Sequence, residues 1–271
     1  MSSSEYILHG GAEEFRRLRI QAEALALEAE VMLDRIGIRE GWRCAELGCG
    51  AGGIVDSLSR RVGPAGRVIG LDQQESSLEA ARRWLDGLAG DFGNVGFQRG
   101  EILANELPAE SFDFAHLRFV LTTVGQHEAM IAAAARLLKP GGIMALQEGI
   151  GIGIDCFPAH DAFYRLRELL FTVFAEVGDV SAGPRAFGLL RRIGFEDVNI
   201  RPCQAAARSV DDMAAYLPDT VRSIRRALLD RGMIGAAELD ETLAACEAHL
   251  RDPDTISTHI CVLQVWGRKP G

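Results

Sequence analysis

Apolar residues along this chain fall into two alternating kinds of run. Short runs dense in Val, Ile, Leu and Phe predict strands at 43–47, 67–72, 95–99, 112–117 and 143–148. Stretches whose apolar residues recur three and four apart predict helices at 54–62, 76–89 and 128–138. Strands that alternate with helices in this way pack as a parallel sheet covered on both faces, with ligands at the carboxyl ends of the strands. Ahead of this unit, 13–36 carries Phe15, Leu18, Ala22, Leu25 and Val31 at helical spacing with charges between them, and reads as one amphipathic helix. After Glu148 the pattern loosens. The glycines of 149–153 make either a hinge or a tight turn off a strand end; 159–177 is a strongly apolar helix; a helix around 187–193 leads to a strand at 195–201. From 209 to 252 the chain reads as two helices parted near Gly232 and Gly235, before a last strand at 258–266.

Between the first strand and the helix that follows it lies Glu46-Leu47-Gly48-Cys49-Gly50-Ala51-Gly52-Gly53. A Gly-rich turn that leaves a strand and opens a helix lets backbone approach a ligand closely and points free N–H groups at it, which suits a nucleotide-like cofactor. The acid two residues before the first glycine argues against a pyrophosphate there, because a carboxylate repels it and suits an ammonium group. Asp72 closes the second strand, close to the ~20 residues downstream at which an acid meets ribose hydroxyls in nucleotide-binding units. S-adenosylmethionine carries ammonium, ribose and adenine together.

At these residues the chain resembles the class I S-adenosylmethionine-dependent methyltransferases, and the resemblance continues in order from about residue 42 to 148. Glu46 to Gly53 looks like the first motif of that family, and Asp72, with Gln73 beside it, like its ribose-binding acid. Gly100-Glu101-Ile102 looks like the motif that holds adenine. Phe112-Asp113-Phe114-Ala115-His116-Leu117-Arg118 looks like the fourth-strand motif, and Leu138-Lys139-Pro140-Gly141-Gly142 like the turn before the fifth strand. The resemblance implies a Rossmann-like fold with a seven-stranded, mostly parallel sheet and helices on both faces. It further implies that residues 1–40 form a helical segment over the site, and that 41–271 form the methyltransferase domain with a helical cap at about 205–255. The cofactor set it implies is Glu46, Gly48, Gly50, Gly52, Asp72, Gln73, Glu101, Ile102 and Arg118, the last through its backbone carbonyl. S-adenosylhomocysteine would be the product. Two departures stand out: the adenine-side acid is Glu101 where the family more often has Asp, and Thr122 and Thr123 occupy the stretch where relatives often have His.

Candidate catalytic residues are fewer. Glu148 lies at the carboxyl end of the fifth strand, where an acceptor would approach the methyl group; the alternative is that it caps the following turn. His160 begins the helix after the glycine run, with Asp161 beside it. Tyr6 precedes Gly10 and Gly11 in a segment that relatives with a similar start fold over the site; the alternative is an aromatic anchor. His116 reads as a core histidine, and His127, His249 and His259 as surface or cap residues.

Composition narrows the acceptor. The 271 residues, 48% hydrophobic and 25% charged, are those of one globular α/β domain with insertions. A net charge of −9 gives no electrostatic pull toward a nucleic-acid backbone or an anionic membrane, so neither is an expected partner. The polar start at 1–5 has no secretory pattern, and the expected location is the cytoplasm. The six cysteines lack C-x-x-C spacing and read as buried or half-buried thiols. No Asn/Asp-Pro-Pro-Tyr/Phe motif follows the fourth strand, which argues against nucleobase amines, and no carboxylate cluster points to Mg²⁺, so metal-independent action is expected. Apolar residues of the insertion (Met213, Tyr216, Leu217, Val221, Leu228, Leu229) suit either a pocket for a mid-sized, partly apolar molecule or packing between helices. The reading is methyl transfer to O, N or C of a small organic acceptor, a specialised metabolite. Quinone or isoprenoid-precursor methylation, and a non-methylating cyclase or binding protein on the same fold, are its rivals. A homodimer is left open.

Overall fold

Strands form where the apolar runs predict them because each run buries alternate side chains on opposite faces of one sheet. In the computed structural model, which describes residues 11–271, the order is α1 (Ala12–Ala24), α2 (Ala26–Ile36), β1 (Arg43–Leu47), α3 (Val55–Val62), β2 (Arg67–Asp72), α4 (Glu75–Asp86), β3 (Val95–Arg99) and β4 (Phe112–Arg118). Then follow α5 (Val120–Val124), α6 (His127–Leu137), β5 (Leu138–Gly149), β6 (Asp155–Phe157), α7 (Asp161–Val177), α8 (Ala182–Arg192), β7 (Glu196–Cys203) and β8 (Ala206–Arg208). A 3₁₀ turn (Asp212–Ala215), α9 (Tyr216–Ser223), α10 (Arg225–Asp230), α11 (Ala236–Leu250), β9 (Ile256–Thr258) and β10 (Val262–Arg268) complete it.

Seven strands make one sheet in the order β3-β2-β1-β4-β5-β10-β7, parallel except for β10, which runs against both neighbours. Strand β4 shows how the faces divide. Phe114 packs with Met32 and Leu33 of α2 and Leu58 of α3, whereas Ala115 and Leu117 pack with Ile131 of α6 and Leu190 of α8. A third core, built on Phe163, Leu166, Val173, Leu217, Val221 and Leu228, belongs to α7, α9, α10 and α11 above the sheet's carboxyl edge.

Three elements differ from the sequence reading, and a fourth, the glycine run, takes one of its two alternatives. The long N-terminal helix breaks at Leu25, whose ψ of 3° and 1% exposure let α2 turn down onto the sheet while α1 lies over its edge. Of the two helices expected in the insertion the second forms as α11, whereas the first divides into the 3₁₀ turn, α9 and α10. The last predicted strand divides: β9 pairs with β6 and β8 in a separate three-stranded sheet, and β10 enters the main one. The glycine run is a pinned turn: Ile150 N–H donates to the Cys261 carbonyl at 3.1 Å, Cys261 N–H to that of Ile152 at 2.8 Å, and a Cβ at Gly149 would lie 2.8 Å from Ile260. All six cysteines are free, five buried and Cys261 half-buried. Among the described residues no helix is long and apolar enough to cross a membrane. Nor, among them, do three or more His, Cys, Asp or Glu side chains gather as metal ligands.

Candidate active site

The glycine turn works by leaving out side chains. Gly48 (φ +70°), Gly50 (φ +51°) and Gly53 (φ +54°) all take left-handed backbone conformations, and a Cβ on Gly48 would lie 2.7 Å from Val120. Asp72 fixes the turn from the neighbouring strand, its carboxylate accepting from Gly50 N–H at 2.9 Å and from Gln74 N–H at 2.9 Å. Burial pushes its carboxyl upward, opposed by these backbone donors. Glu46 is 1% exposed; its Oε2 lies 2.7 Å from His116 Nδ1, which makes His116 the core histidine the sequence suggested.

These residues open on one cavity of about 630 Å³. Glu46, Gly48, Gly50, Asp72, Gln73, Glu101, Ile102 and Arg118 of the sequence-derived set all line it. Gly52 does not. Its absent Cβ makes room for the Trp84 ring, 2.6 Å from where that atom would be, and Gly53 takes its place in the wall.

Two cations stand beside the turn. Arg118 Nη1 is buried with no hydrogen-bond partner among the described residues, as are Nε and Nη1 of Arg19, whose guanidinium carbon sits 3.7 Å above the Trp84 ring. Burial lowers the pKa of both, with Glu46 and Asp56 pulling Arg118 back up. Arginine remains charged in such surroundings, so the pair gives this end of the cavity unspent positive charge.

Neither described candidate base lies in the wall. Glu148 is fully buried behind it: Leu121 N–H (3.0 Å), Thr122 N–H (2.9 Å) and Thr122 Oγ1–H (2.7 Å) all donate to its carboxylate. It therefore caps α5, and α5 in turn carries Thr122 and Thr123 into the cavity wall. His160 caps α7, its Nδ1 accepting from Ala162 N–H at 3.3 Å and its ring stacking on His249 at 4.5 Å, outside the cavity. Tyr6 lies outside the described residues. His259, read from sequence as a surface or cap residue, is 3% exposed.

The far end of the cavity is apolar, formed by Phe119, Ile154, Leu170, Phe171, Phe174 and Ile260. Of the insertion residues proposed for a pocket only Tyr216 reaches it; Leu217, Val221 and Leu228 hold the cap together. From α1, Phe15 and Leu18 line the space together with Glu14, Arg17 and Gln21. From sequence the apolar pair reads as part of an amphipathic helix in the segment expected over the site. The signal this reading passes over is the polar series at 14, 17 and 21, spaced three and four apart, the spacing of one helix face.

Residues 45–142, the turn and the strands that carry this wall, match a family model described as a methyltransferase domain. Over these residues the chain is similar to methyltransferase domains. An uncharacterized 37.1 kDa protein in a transposon of Streptomyces fradiae is 36% identical over 118 residues, which are 44% of this chain and 33% of that protein. A ubiquinone/menaquinone biosynthesis C-methyltransferase of Pasteurella multocida is 30% identical over 148 residues, 55% of this chain and 53% of that one. The chain thus spans between a third and about half of the length of these curated relatives. Among solved structures, a Haemonchus contortus phosphoethanolamine N-methyltransferase bound to phosphomonomethylethanolamine and S-adenosylhomocysteine aligns at a TM-score of 0.53 and 17% identity, covering 90% of this chain and 53% of that one. That likeness is one of fold. The matched residues hold the glycine turn and strands β2, β3 and β4, while the apolar end of the cavity is built largely from segments outside residues 45–142.

Proposed function

We propose that the protein binds S-adenosylmethionine at the glycine-turn end of the cavity and transfers its methyl group to O, N or C of a small, partly apolar organic acceptor held at the other end. The observation that carries this is the continuity of one cavity from the Gly48–Gly53 backbone and Asp72 to Phe119, Phe171 and Phe174. The cofactor's chemistry fits the residues present. Bare backbone at Gly48, Gly50 and Gly53 leaves room that a Cβ would fill, Asp72 keeps lone pairs for ribose hydroxyls, and Arg118 and Arg19 offer unspent donors to a carboxylate.

When bound, the sulfonium supplies an electrophilic methyl group. The chain's part is to orient the acceptor and exclude water, and alignment alone contributes several kcal/mol. With Glu148 and His160 outside the wall, no proton abstraction is assigned to them, which suits an acceptor already nucleophilic at neutral pH. A specialised metabolite fits this description. A quinone-type acceptor is the second reading, favoured by the similarity to a quinone C-methyltransferase.

Incubation with isotope-labelled S-adenosylmethionine and extracts of the host should give a labelled small molecule and S-adenosylhomocysteine by mass spectrometry. Absence of transfer with retained cofactor binding would favour the non-methylating cyclase or binding protein. In calorimetry, Asp72→Ala should weaken S-adenosylhomocysteine binding by about 10- to 100-fold, the loss of about 1.5 to 3 kcal/mol from charge-assisted hydrogen bonds. Wild-type affinity in that variant would remove Asp72 from the site.

A further inference from the structure

The cap and α1 meet in a buried polar chain whose donor directions are fixed one by one. His259 Nδ1 lies 3.0 Å from the Ile260 carbonyl, an acceptor only, so Nδ1 carries the hydrogen and Nε2 is left to accept. Burial pushes the imidazole down to about 4, so the ring is neutral at physiological pH. Gln21 Nε2 faces His259 Nε2 at 3.5 Å and Tyr216 Oη at 2.7 Å, and one amide group has two hydrogens for those two acceptors. Arg17 Nη1 donates to the same phenol oxygen at 3.2 Å, while Arg17 is itself held by Glu14 at 2.6 and 2.8 Å. Tyr216 Oη therefore receives two hydrogen bonds, and its own hydrogen remains to be given.

The cavity offers that hydrogen a place to go. The Tyr216 ring packs on His259 with 4.1 Å between centroids, and the side chain lines the cavity together with Arg118. Thr220 Oγ1, a neighbour in the wall, donates to the Tyr216 main-chain carbonyl at 2.7 Å and keeps lone pairs, so it is the internal acceptor with which a ligand oxygen competes for the phenol hydrogen. Burial raises the Tyr216 pKa, so the phenol stays protonated and is a donor, not a base.

We propose that Tyr216 is the acceptor-recognition residue: its hydroxyl, fixed as a donor by Gln21 and Arg17, hydrogen-bonds a carbonyl or other hydrogen-bond-accepting oxygen of a substrate whose apolar body lies on Phe171 and Phe174. This rests on the methyl-transfer reading and narrows it to oxygen-bearing, partly apolar acceptors. Discrimination follows from the same geometry. An oxygen-free analogue would leave the buried hydroxyl without a ligand partner, a loss of about tenfold or more in affinity.

The test uses 1-tetralone and tetralin, which share a bicyclic shape and differ by one carbonyl, with the full chain saturated with S-adenosylhomocysteine. Wild type should bind the ketone about tenfold or more tightly than the hydrocarbon, and Tyr216→Phe should bind the two alike, with its tetralin and S-adenosylhomocysteine affinities unchanged. Because the Phe variant strands two buried donors, which threatens its folding, the carbonyl stretch of bound ¹³C-labelled 1-tetralone is also read in the unaltered protein. It should lie below its frequency in cyclohexane. Equal binding of the pair by wild type, failure of the ketone to bind, discrimination retained in Tyr216→Phe, or an unshifted stretch overturns the assignment of Tyr216. Failure of S-adenosylhomocysteine itself to bind is a different result and overturns the methyl-transfer reading.

Discussion

Replacing Gly53 with Ala should reduce S-adenosylhomocysteine affinity by roughly a hundredfold or more, equivalent to losing at least one charge-assisted hydrogen bond, and should lower stability by about 2 to 4 kcal/mol. Two costs combine. The left-handed backbone at φ +54° is strained for any residue with a Cβ, and that atom would overlap Glu46 Oε1 and lie 3.0 Å from its Cδ. Glu46 cannot yield cheaply, because it is 1% exposed and holds His116 at 2.7 Å. Pushing the carboxylate aside breaks that contact and drives it into the space assigned to the ligand. Gly141→Ala is the control: its φ is +76° but a Cβ there would meet nothing within 4 Å, so only the backbone cost of about 1 kcal/mol applies and binding should not change. Calorimetric titration and thermal melts of the two variants decide the matter. Wild-type affinity in Gly53→Ala would mean that the turn is not the binding surface.

Removing Glu148 should cost more stability than any other single change considered above, about 3 to 5 kcal/mol for Glu148→Ala. At 0% exposure the substitution strands Leu121 N–H, Thr122 N–H and the Thr122 hydroxyl together and leaves a cavity. Glu148→Gln keeps the volume and isolates the proton. Burial pushes the carboxyl up from 4.5 to about 7, over the opposing pull of those three donors. The folded protein thus holds this proton more tightly than the unfolded chain does. The resulting stabilisation is complete below about pH 4.5 and is lost as pH rises through about 7. Wild type should therefore lose stability relative to Glu148→Gln between pH 5 and 8 in denaturant titrations. Parallel curves for the two proteins would show that Glu148 is ionised throughout.

The part of this molecule that reads directly from its sequence is the part held by local pattern. Strands β1 and β2 sit at the predicted residues because each is a short apolar run buried on both faces, the half-buried edge strand β3 does so because Val95 and Phe97 alternate along it, and the glycine turn announces itself because only glycine tolerates its backbone. The chamber over the carboxyl edge was not legible in the same way. Phe15 and Leu18 have the spacing of core residues, and no local signal says that the surface they face is a cavity. Glu148 sits where an acceptor would approach, yet its direction is set by the N-terminus of α5, a five-residue helix too short for periodicity to reveal. The division of the last strand at His259 depends on pairing with β6 and β8, which lie about a hundred and about fifty residues earlier in the chain. His259 looks peripheral until that pairing is known.

Helix α1 carries a further consequence, one of timing. Glu14 accepts from the Ser223 hydroxyl at 2.6 Å across 209 positions, and Gln21 meets His259 across 238. Contacts that distant close only after nearly the whole chain exists, and in synthesis from the amino end α1 waits while the sheet strands are added in turn. Its most buried charges need not wait unpaired, since Arg17 and Glu14 satisfy each other one turn apart within the same helix. The Glu14–Arg17 pair is thus formed before its partners arrive, which leaves Arg19 as the charge of this helix whose desolvation accompanies late docking.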